Sequence, residues 1–192
     1  KGVSGQGISE AYRHVIDRVA DERLRLYLYH IPQVAAVGLS HPVIRTLKQQ
    51  YPATILGIKD SACERVHSVG LADTFMPGMT VYVGNELDLP EMGRLGSTGA
   101  ISGLANFMPR VVNDLVCRPD ASGTPAQLER VRALLATLGG YALIPALKAV
   151  MAQLSGHAGW MRVRPPLVAL TADQATTLAT QLRPFALDAA RD

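Results

Sequence analysis

The sequence has few cysteines, no cluster of basic residues and no apolar run long enough to cross a membrane, and each absence excludes a class of protein. Two cysteines, Cys63 and Cys117, allow at most one disulfide among 192 residues, so a reducing cytoplasm is the expected compartment. The net charge of +3 comes from scattered Lys and Arg residues, which argues against nucleic-acid binding. The most apolar uncharged run, residues 133–147, is too short for a membrane span and is broken by two glycines and a proline. With 48% hydrophobic and 18% charged residues, the composition predicts a globular chain with a sizeable core.

Metal and phosphate motifs are also lacking. The five histidines have no spacing that would place two ligands on one helical face. They are His14, His30, His41, His67 and His157. The glycines between residues 96 and 103 straddle a predicted strand, unlike those of a dinucleotide-binding loop. Cys63 has no histidine placed to activate it and is interpreted as a small buried helix residue. We therefore expect neither a metal site nor a nucleophilic cysteine.

Four short apolar segments alternate with helical patterns, which is typical of βα units and a parallel sheet. The predicted strands are residues 24–31, 53–60, 80–84 and 99–102. A first helix, capped by Ser9, precedes them, and Ser40 caps the helix between the first two strands. In the first strand Leu28 falls on one face and Tyr29 on the other, because side chains alternate along a strand.

Beyond Pro119 the strand pattern stops and three helical stretches follow, at residues 125–138, 141–154 and 172–182. A complete (β/α)₈ barrel needs about 250 residues and eight strands. The sequence therefore predicts the C-terminal half of a (β/α)₈ TIM barrel over residues 1–118, its last four βα units, and a C-terminal helical domain over residues 119–192. Because a half barrel leaves open strand edges, the other strands are expected on an upstream segment or a second chain.

Lys59 is the main candidate for catalysis. It lies at the C-terminal end of the second predicted strand, in the sequence Gly-Ile-Lys-Asp-Ser at residues 57–61. Catalytic side chains of barrel enzymes come from such strand ends, and an apolar interior disfavours the charged form of a lysine. The neutral amine can attack a ketone, and the resulting protonated imine accepts electrons when a carbon–carbon bond breaks. Taken alone, Lys59 would more often be a lysine that reaches out to solvent.

Tyr29 is the second candidate, near the end of the preceding strand and 30 residues before Lys59. Adjacent parallel strands would bring the two side chains together. A phenol in a dry pocket can pass protons to and from the carbinolamine, in the role of a general acid and base. A core tyrosine with a satisfied hydroxyl is the alternative interpretation.

These motifs occur in a recognisable order. Tyr-x-x-Pro ends the first strand, Gly-Ile-Lys-Asp-Ser ends the second, Gly84 ends the third, and Gly-Ser-Thr-Gly-Ala-Ile-Ser spans the fourth at residues 96–102. Arg-Pro-Pro at residues 164–166 precedes the last helix. In this order and at βα spacing, the chain resembles the dihydrodipicolinate synthase/N-acetylneuraminate lyase family of class I, Schiff-base-forming aldolases. The resemblance covers essentially the whole chain.

The resemblance implies a role for four residues. Lys59 would be the lysine that forms the Schiff base, and Tyr29 the tyrosine that relays protons. Gly84 and Ile101 would contribute backbone and pocket contacts to the bound 2-keto acid. No cofactor is implied, since the intermediate is a covalent imine with Lys59. The resemblance also implies a homotetramer whose substrate is a small 2-keto acid. From the composition, neither nucleic acid nor a membrane is expected as a partner.

Two departures from the family pattern shape the functional hypotheses. A carboxylate-binding segment of the Gly-Thr-Thr-Gly-Glu type is absent, and Val34 stands where the synthases carry an arginine. The leading hypothesis is a lyase or aldolase acting on pyruvate or a sugar-derived 2-keto acid. The second is a dihydrodipicolinate synthase or keto-acid dehydratase that uses the same imine. The third is a half barrel that binds without catalysis, because the carboxylate anchor is missing.

Overall fold

The computed structural model describes residues 2–187 of the chain. Two compact units are formed, Lys1–Ile101 and Ser102–Asp192. The first contains a parallel sheet with helices, and the second is entirely helical within the described residues. The predicted α/β class is confirmed, and the predicted domain boundary after residue 118 stays a prediction.

The first unit holds a four-stranded parallel sheet in the order β1-β2-β3-β4. The strands are β1 (Leu26–His30), β2 (Ile55–Asp60), β3 (Thr80–Val83) and β4 (Gly99–Ala100). All four predicted strands are present, each shorter than its apolar segment. Because all four strands run in the same direction, their C-terminal ends lie along one edge of the sheet.

Five helices connect or precede the strands of this unit. They are α1 (Gly5–Val19), α2 (Pro32–Ala35), α3 (His41–Gln50), α4 (Arg65–Phe75) and α5 (Leu89–Arg94), with a 3₁₀ turn at Glu86–Asp88. The predicted cap Ser9 is wrong, since Ser4 caps α1 by accepting a hydrogen bond from Gly7, and Ser9 lies inside the helix and donates back to the Gly5 carbonyl at 3.1 Å. Ser40 does precede α3, although its side chain makes no capping hydrogen bond.

The two faces of the sheet differ in burial. Leu28, Ile58 and Val81 point to the side on which α3 and α4 contact the strands, and each is at most 1% exposed. Burying aliphatic side chains of this size contributes roughly 1.5–3 kcal/mol each to folding. On the opposite face Tyr27 and Tyr29 are 48% and 44% exposed. The predicted alternation of Leu28 and Tyr29 is confirmed.

Up to residue 187, the second unit consists of four helices and three 3₁₀ turns. The helices are α6 (Pro109–Cys117), α7 (Thr124–Leu138), α8 (Leu143–Ser155) and α9 (Ala172–Leu182), and the turns are Leu104–Asn106, Ala158–Met161 and Arg183–Phe185. Thr171, followed by Asp173 in the first turn, predicts the start of the last helix, and this cap is confirmed, because Thr171 and Gln174 form a reciprocal capping box. Within residues 2–187 no single helix has the length and apolar character to cross a membrane; α7 and α8 meet the criteria only as a pair, bent by 110°.

Candidate functional site

The strand register places the two predicted catalytic side chains side by side. Tyr29 of β1 pairs with Lys59 of β2, which pairs in turn with Tyr82 of β3. The Lys59 Nζ lies 4.4 Å from the centre of the Tyr29 ring. Both residues are within two positions of the C-terminal end of their strands, the end at which barrel enzymes carry their catalytic groups.

Tyr29 has an acidified phenol. Partial burial acts to raise its pKa, but a hydrogen bond with Ser61, a hydrogen bond with Lys59 and the charge of Lys59 together lower the pKa below its ordinary value. A tyrosine whose pKa moves toward neutrality gives up its proton more easily. The arrangement therefore suits proton exchange between the phenol and groups held beside Lys59.

Gly84 and Ile101 lie at the same edge of the sheet. The Gly84 N–H donates to the Asp60 carbonyl at 2.7 Å, and the Ile101 N–H donates to the Val83 carbonyl at 3.0 Å. A Cβ on Gly84 would overlap the Ser61 hydroxyl and lie 3.1 Å from the Asp60 carbonyl oxygen, so a larger residue here would displace the Ser61 side chain. The structure thus brings all four predicted site residues to one edge, while the substrate contacts of Gly84 and Ile101 stay predictions.

The face that carries Lys59 is open. Tyr27, Tyr29 and Ile101 are all about half exposed, and Lys59 is only partly buried. The Tyr27 and Tyr82 rings contact each other at 5.9 Å between centres and line this face. A dry, apolar interior around Lys59 was expected, and residues 2–187 do not enclose one.

Behind this open face lies a cluster of polar groups that the histidine spacing did not predict. Asp60 directly follows Lys59, points to the opposite side of the sheet and is 2% exposed. His67 of α4 contacts the Asp60 carboxylate at 3.0 Å, and its ring stacks on His30 of β1 at 3.9 Å between centres. His41 of α3 lies 5.1 Å from His67. Alternation along β1 predicts that His30 points away from Tyr29 and toward the helices, and the contact with His67 of α4 confirms it.

One signal in the sequence could have revealed this cluster. His30 and Asp60 have the same parity as Leu28 and Ile58, and the two strands are adjacent, so their side chains must meet on the buried face. The interpretation of Cys63 as a buried helix residue is wrong. It is exposed in the turn before α4, with a backbone φ of 59°, instead of buried in a helix.

His30, Asp60 and His67 bring three ligand atoms within 4.8 Å of one another, the spacing of a possible metal site. Their geometry argues for another role. The two imidazole rings are stacked at 13° between planes, and an ion cannot lie in both ring planes at once. Both nitrogens of His67 are also occupied by hydrogen-bond partners. The expectation that the chain carries no metal stays a prediction.

Comparison with known proteins decides the family. The family model described as the dihydrodipicolinate synthetase family matches residues 2–184. The chain belongs to this family. An uncharacterized DapA-like lyase from Chloroflexus aurantiacus is 29% identical over 176 residues, covering 90% of this chain and 57% of the relative. A 4-hydroxy-tetrahydrodipicolinate synthase from Azoarcus sp. is 27% identical over 135 residues, covering 70% of this chain and 44% of the relative.

Solved structures of the dihydrodipicolinate synthetase family share the fold. Dihydrodipicolinate synthase from Agrobacterium tumefaciens superposes with a TM-score of 0.85 at 28% identity, covering 97% of this chain and 62% of that structure. A prophage protein of the dihydrodipicolinic acid synthase family from E. coli K12, solved in complex with pyruvate, has a TM-score of 0.82 at 23% identity, covering 97% and 63%. The chain spans about three fifths of these family members, and its sheet is part of their TIM barrel.

Proposed function

We propose that the protein is a lyase or aldolase that makes or breaks a carbon–carbon bond in a 2-keto acid through an imine on Lys59. The single observation that carries the proposal is the pairing of Lys59 with Tyr29 across β1 and β2, with 4.4 Å between the amine and the ring centre. Membership of the dihydrodipicolinate synthetase family supports it.

The chemistry follows from these two groups. The neutral amine of Lys59 attacks the ketone carbon, and the carbinolamine that forms loses water to give a protonated imine. When the bond between the third and fourth carbons breaks, its electron pair enters the imine as an enamine, which is later protonated and hydrolysed. Tyr29 delivers and takes up the protons of these steps, since its acidified phenol lies against the amine.

Val34 supports an uncharged or sugar-derived substrate over an acidic second substrate. It lies in α2, just after Tyr29 and His30, and is 75% exposed. A dicarboxylic product would need a positive charge here, and the synthases of the family carry an arginine at the matching position. We therefore place lyase chemistry ahead of dihydrodipicolinate synthesis.

Borohydride trapping tests the proposal directly. Pyruvate and borohydride added to the full-length protein should leave a reduced adduct on Lys59, located by peptide mass spectrometry. The adduct should be absent from Lys59→Ala and present in Lys148→Ala, which removes a lysine of α8 that lies near Trp160. Failure of the wild-type protein to form an adduct would overturn the proposed imine and favour a binding module.

Product analysis separates the two enzymatic outcomes. Release of pyruvate from a sugar-derived 2-keto acid would support the lyase. Condensation of pyruvate with an aldehyde into a dicarboxylic product, or loss of water from a keto acid with its carbon skeleton intact, would support the synthase or dehydratase instead. A homotetramer and a cytoplasmic location belong to the same proposal.

A further inference from the structure

The carboxylate of Asp60 is fully occupied although it is buried behind the sheet. Its Oδ1 accepts a hydrogen bond from the Ala62 N–H at 3.0 Å, and its Oδ2 accepts from the Ser68 hydroxyl at 2.8 Å and from the His67 ring at 3.0 Å. Charged groups at such depth are normally paired, since an isolated buried charge is strongly destabilising. Asp60 is therefore held as an anion by three donors.

His67 carries the matching positive charge. Its Nδ1 faces the Asp60 carboxylate at 3.0 Å, and its Nε2 faces the Leu39 carbonyl at 3.1 Å. Both partners are acceptors, so both ring nitrogens must donate, and only the imidazolium form has a proton on each. The two contacts therefore require a positively charged His67, which forms a buried ion pair with Asp60.

The ion pair closes a circuit around the end of β2. From His67 it runs to the Leu39 carbonyl, and the Leu39 N–H donates to His30 Nδ1 at 2.8 Å. The His30 carbonyl accepts the Ser61 N–H at 2.9 Å, which returns the circuit to the residue after Asp60. Lys59, whose amine lies 4.4 Å from the centre of the Tyr29 ring, and Ser61, which helps to lower the pKa of Tyr29, flank the anchored Asp60 on either side.

We propose that the Asp60–His67 ion pair is a positioning device that fixes the end of β2 and thereby holds the Lys59 amine and the Ser61 hydroxyl against Tyr29. The inference deepens the proposed function and depends on it for its catalytic meaning. The positioning of Lys59 itself can be measured from the reactivity of its amine, without catalytic turnover.

The groups around His67 agree with one positive charge in the cluster. Hydrogen bonding to Asp60 raises the pKa of His67 above its ordinary value, while burial and then the charge of His67 lower the pKa values of His30 and His41. Glu64 adds a further negative charge facing His67, and Arg45 a positive one near His41. The described residues offer the His41 Nε2 no hydrogen-bond partner, as suits a neutral ring.

Competitive acetylation of lysines measures the device. Trace acetic anhydride reacts with neutral amines, and peptide mass spectrometry gives the labelling of Lys59 relative to Lys148 in the same molecule. In His67→Gln the Asp60 charge is uncompensated and the strand end is released, so the ratio should fall on the order of tenfold. Ser68→Ala, which removes one hydrogen bond to Asp60, should give a smaller fall in the same direction.

The pH profile separates positioning by charge from a general loss of structure. In the wild-type protein the ratio should show an inflection above pH of about 6.5, where His67 loses its proton. His67→Gln should lack that inflection, and His14→Gln, which changes an exposed histidine of α1, should retain both the ratio and the inflection.

An unchanged ratio and profile in a folded His67→Gln variant would overturn the positioning role. If circular dichroism shows that His67→Gln does not fold, Ser68→Ala decides in its place, and an unchanged ratio there overturns the proposal equally. The absence of a pyruvate adduct in the wild-type protein is a separate result, because it rejects the imine and leaves the labelling ratio as the test of positioning.

Discussion

The two faces of the four-stranded sheet carry opposite kinds of residue on the same strands. The open face presents Tyr27, Tyr29 and Lys59 at partial exposure, whereas the face toward α3 and α4 buries Leu28 and Asp60 almost completely. Alternation along each strand places the two sets one residue apart. Each reactive side chain on the open face therefore has buried residues directly before and after it in the strand. Because these neighbours are fixed under the helices, the reactive side chain cannot move independently of them.

The contrast also separates two uses of charge. On the open face the Lys59 charge contacts a neutral ring and lowers the pKa of a phenol, where it can serve chemistry. On the buried face the charges of Asp60 and His67 compensate each other and serve position.

The largest effect is expected on the open face. Tyr29→Phe should reduce turnover by about 10²- to 10⁴-fold, because it removes the proton relay while keeping the ring against Lys59. Its free energy of unfolding should change by less than about 0.5 kcal/mol, since the hydroxyl is at a partly exposed position. Steady-state kinetics and urea denaturation of the same preparation measure both quantities.

Tyr82→Phe is the matched control, because Tyr82 lies beside Lys59 on β3 and lacks the Lys59 ring contact. It should retain most of the activity. Equal losses of activity in the two variants would mean that the tyrosines of the open face act through packing alone. The open face would then have no specific chemical role to set against the buried face.

Much of this division could be predicted from the sequence. Period-two alternation in β1 separates Leu28 from Tyr29, and the spacing of apolar segments gives four parallel strands whose ends meet. Hydrogen bonds from the backbone to nearby side chains were harder to predict. The apolar pattern predicts a helix over residues 62–71, but α4 begins at Arg65, because Asp60 Oδ1 accepts a hydrogen bond from the Ala62 N–H and Cys63 adopts a positive φ.

Features that depend on three elements at once were not predictable from spacing. His30, His41 and His67 come from β1, α3 and α4, and their contact follows only from how those helices pack on the strands. The apolar pattern predicts one helix over residues 104–117, but residues Leu104–Asn106 form a separate 3₁₀ turn and α6 begins at Pro109.

The second prediction concerns packing on the two faces. Leu28→Ala, at 1% exposure, should lower the free energy of unfolding by about 2–5 kcal/mol, because it opens a cavity under the helices. Tyr27→Ala, one residue away and 48% exposed, should cost about 1 kcal/mol. Denaturant titration of the full-length protein compares them. Equal costs would show that other residues cover the open face, and would remove the difference in burial on which the comparison depends.

The smallest effect is a dependence of stability on pH from the buried face. The pKa of Asp60 is lowered, because hydrogen bonds from His67, Ala62 and Ser68 outweigh the opposing effect of burial, so its contribution is present above about pH 4 and is lost as pH falls through the native pKa. The pKa of His67 is raised by the hydrogen bond to Asp60, so its contribution is complete below about pH 6.5 and is lost as pH rises through the native pKa.

The stability difference between wild type and His67→Gln should therefore be greatest between about pH 4 and pH 6.5 and should narrow on both sides. His30 and His41 have lowered pKa values, first through burial and then through the charge of His67, and so favour unfolding as the pH falls; the part due to burial is common to the two proteins and cancels in the difference. Urea titrations of both proteins at several pH values measure this difference in the free energy of unfolding. A difference that does not vary with pH would mean that His67 stabilises the fold by packing alone, because an ion pair that loses either charge cannot keep its full strength.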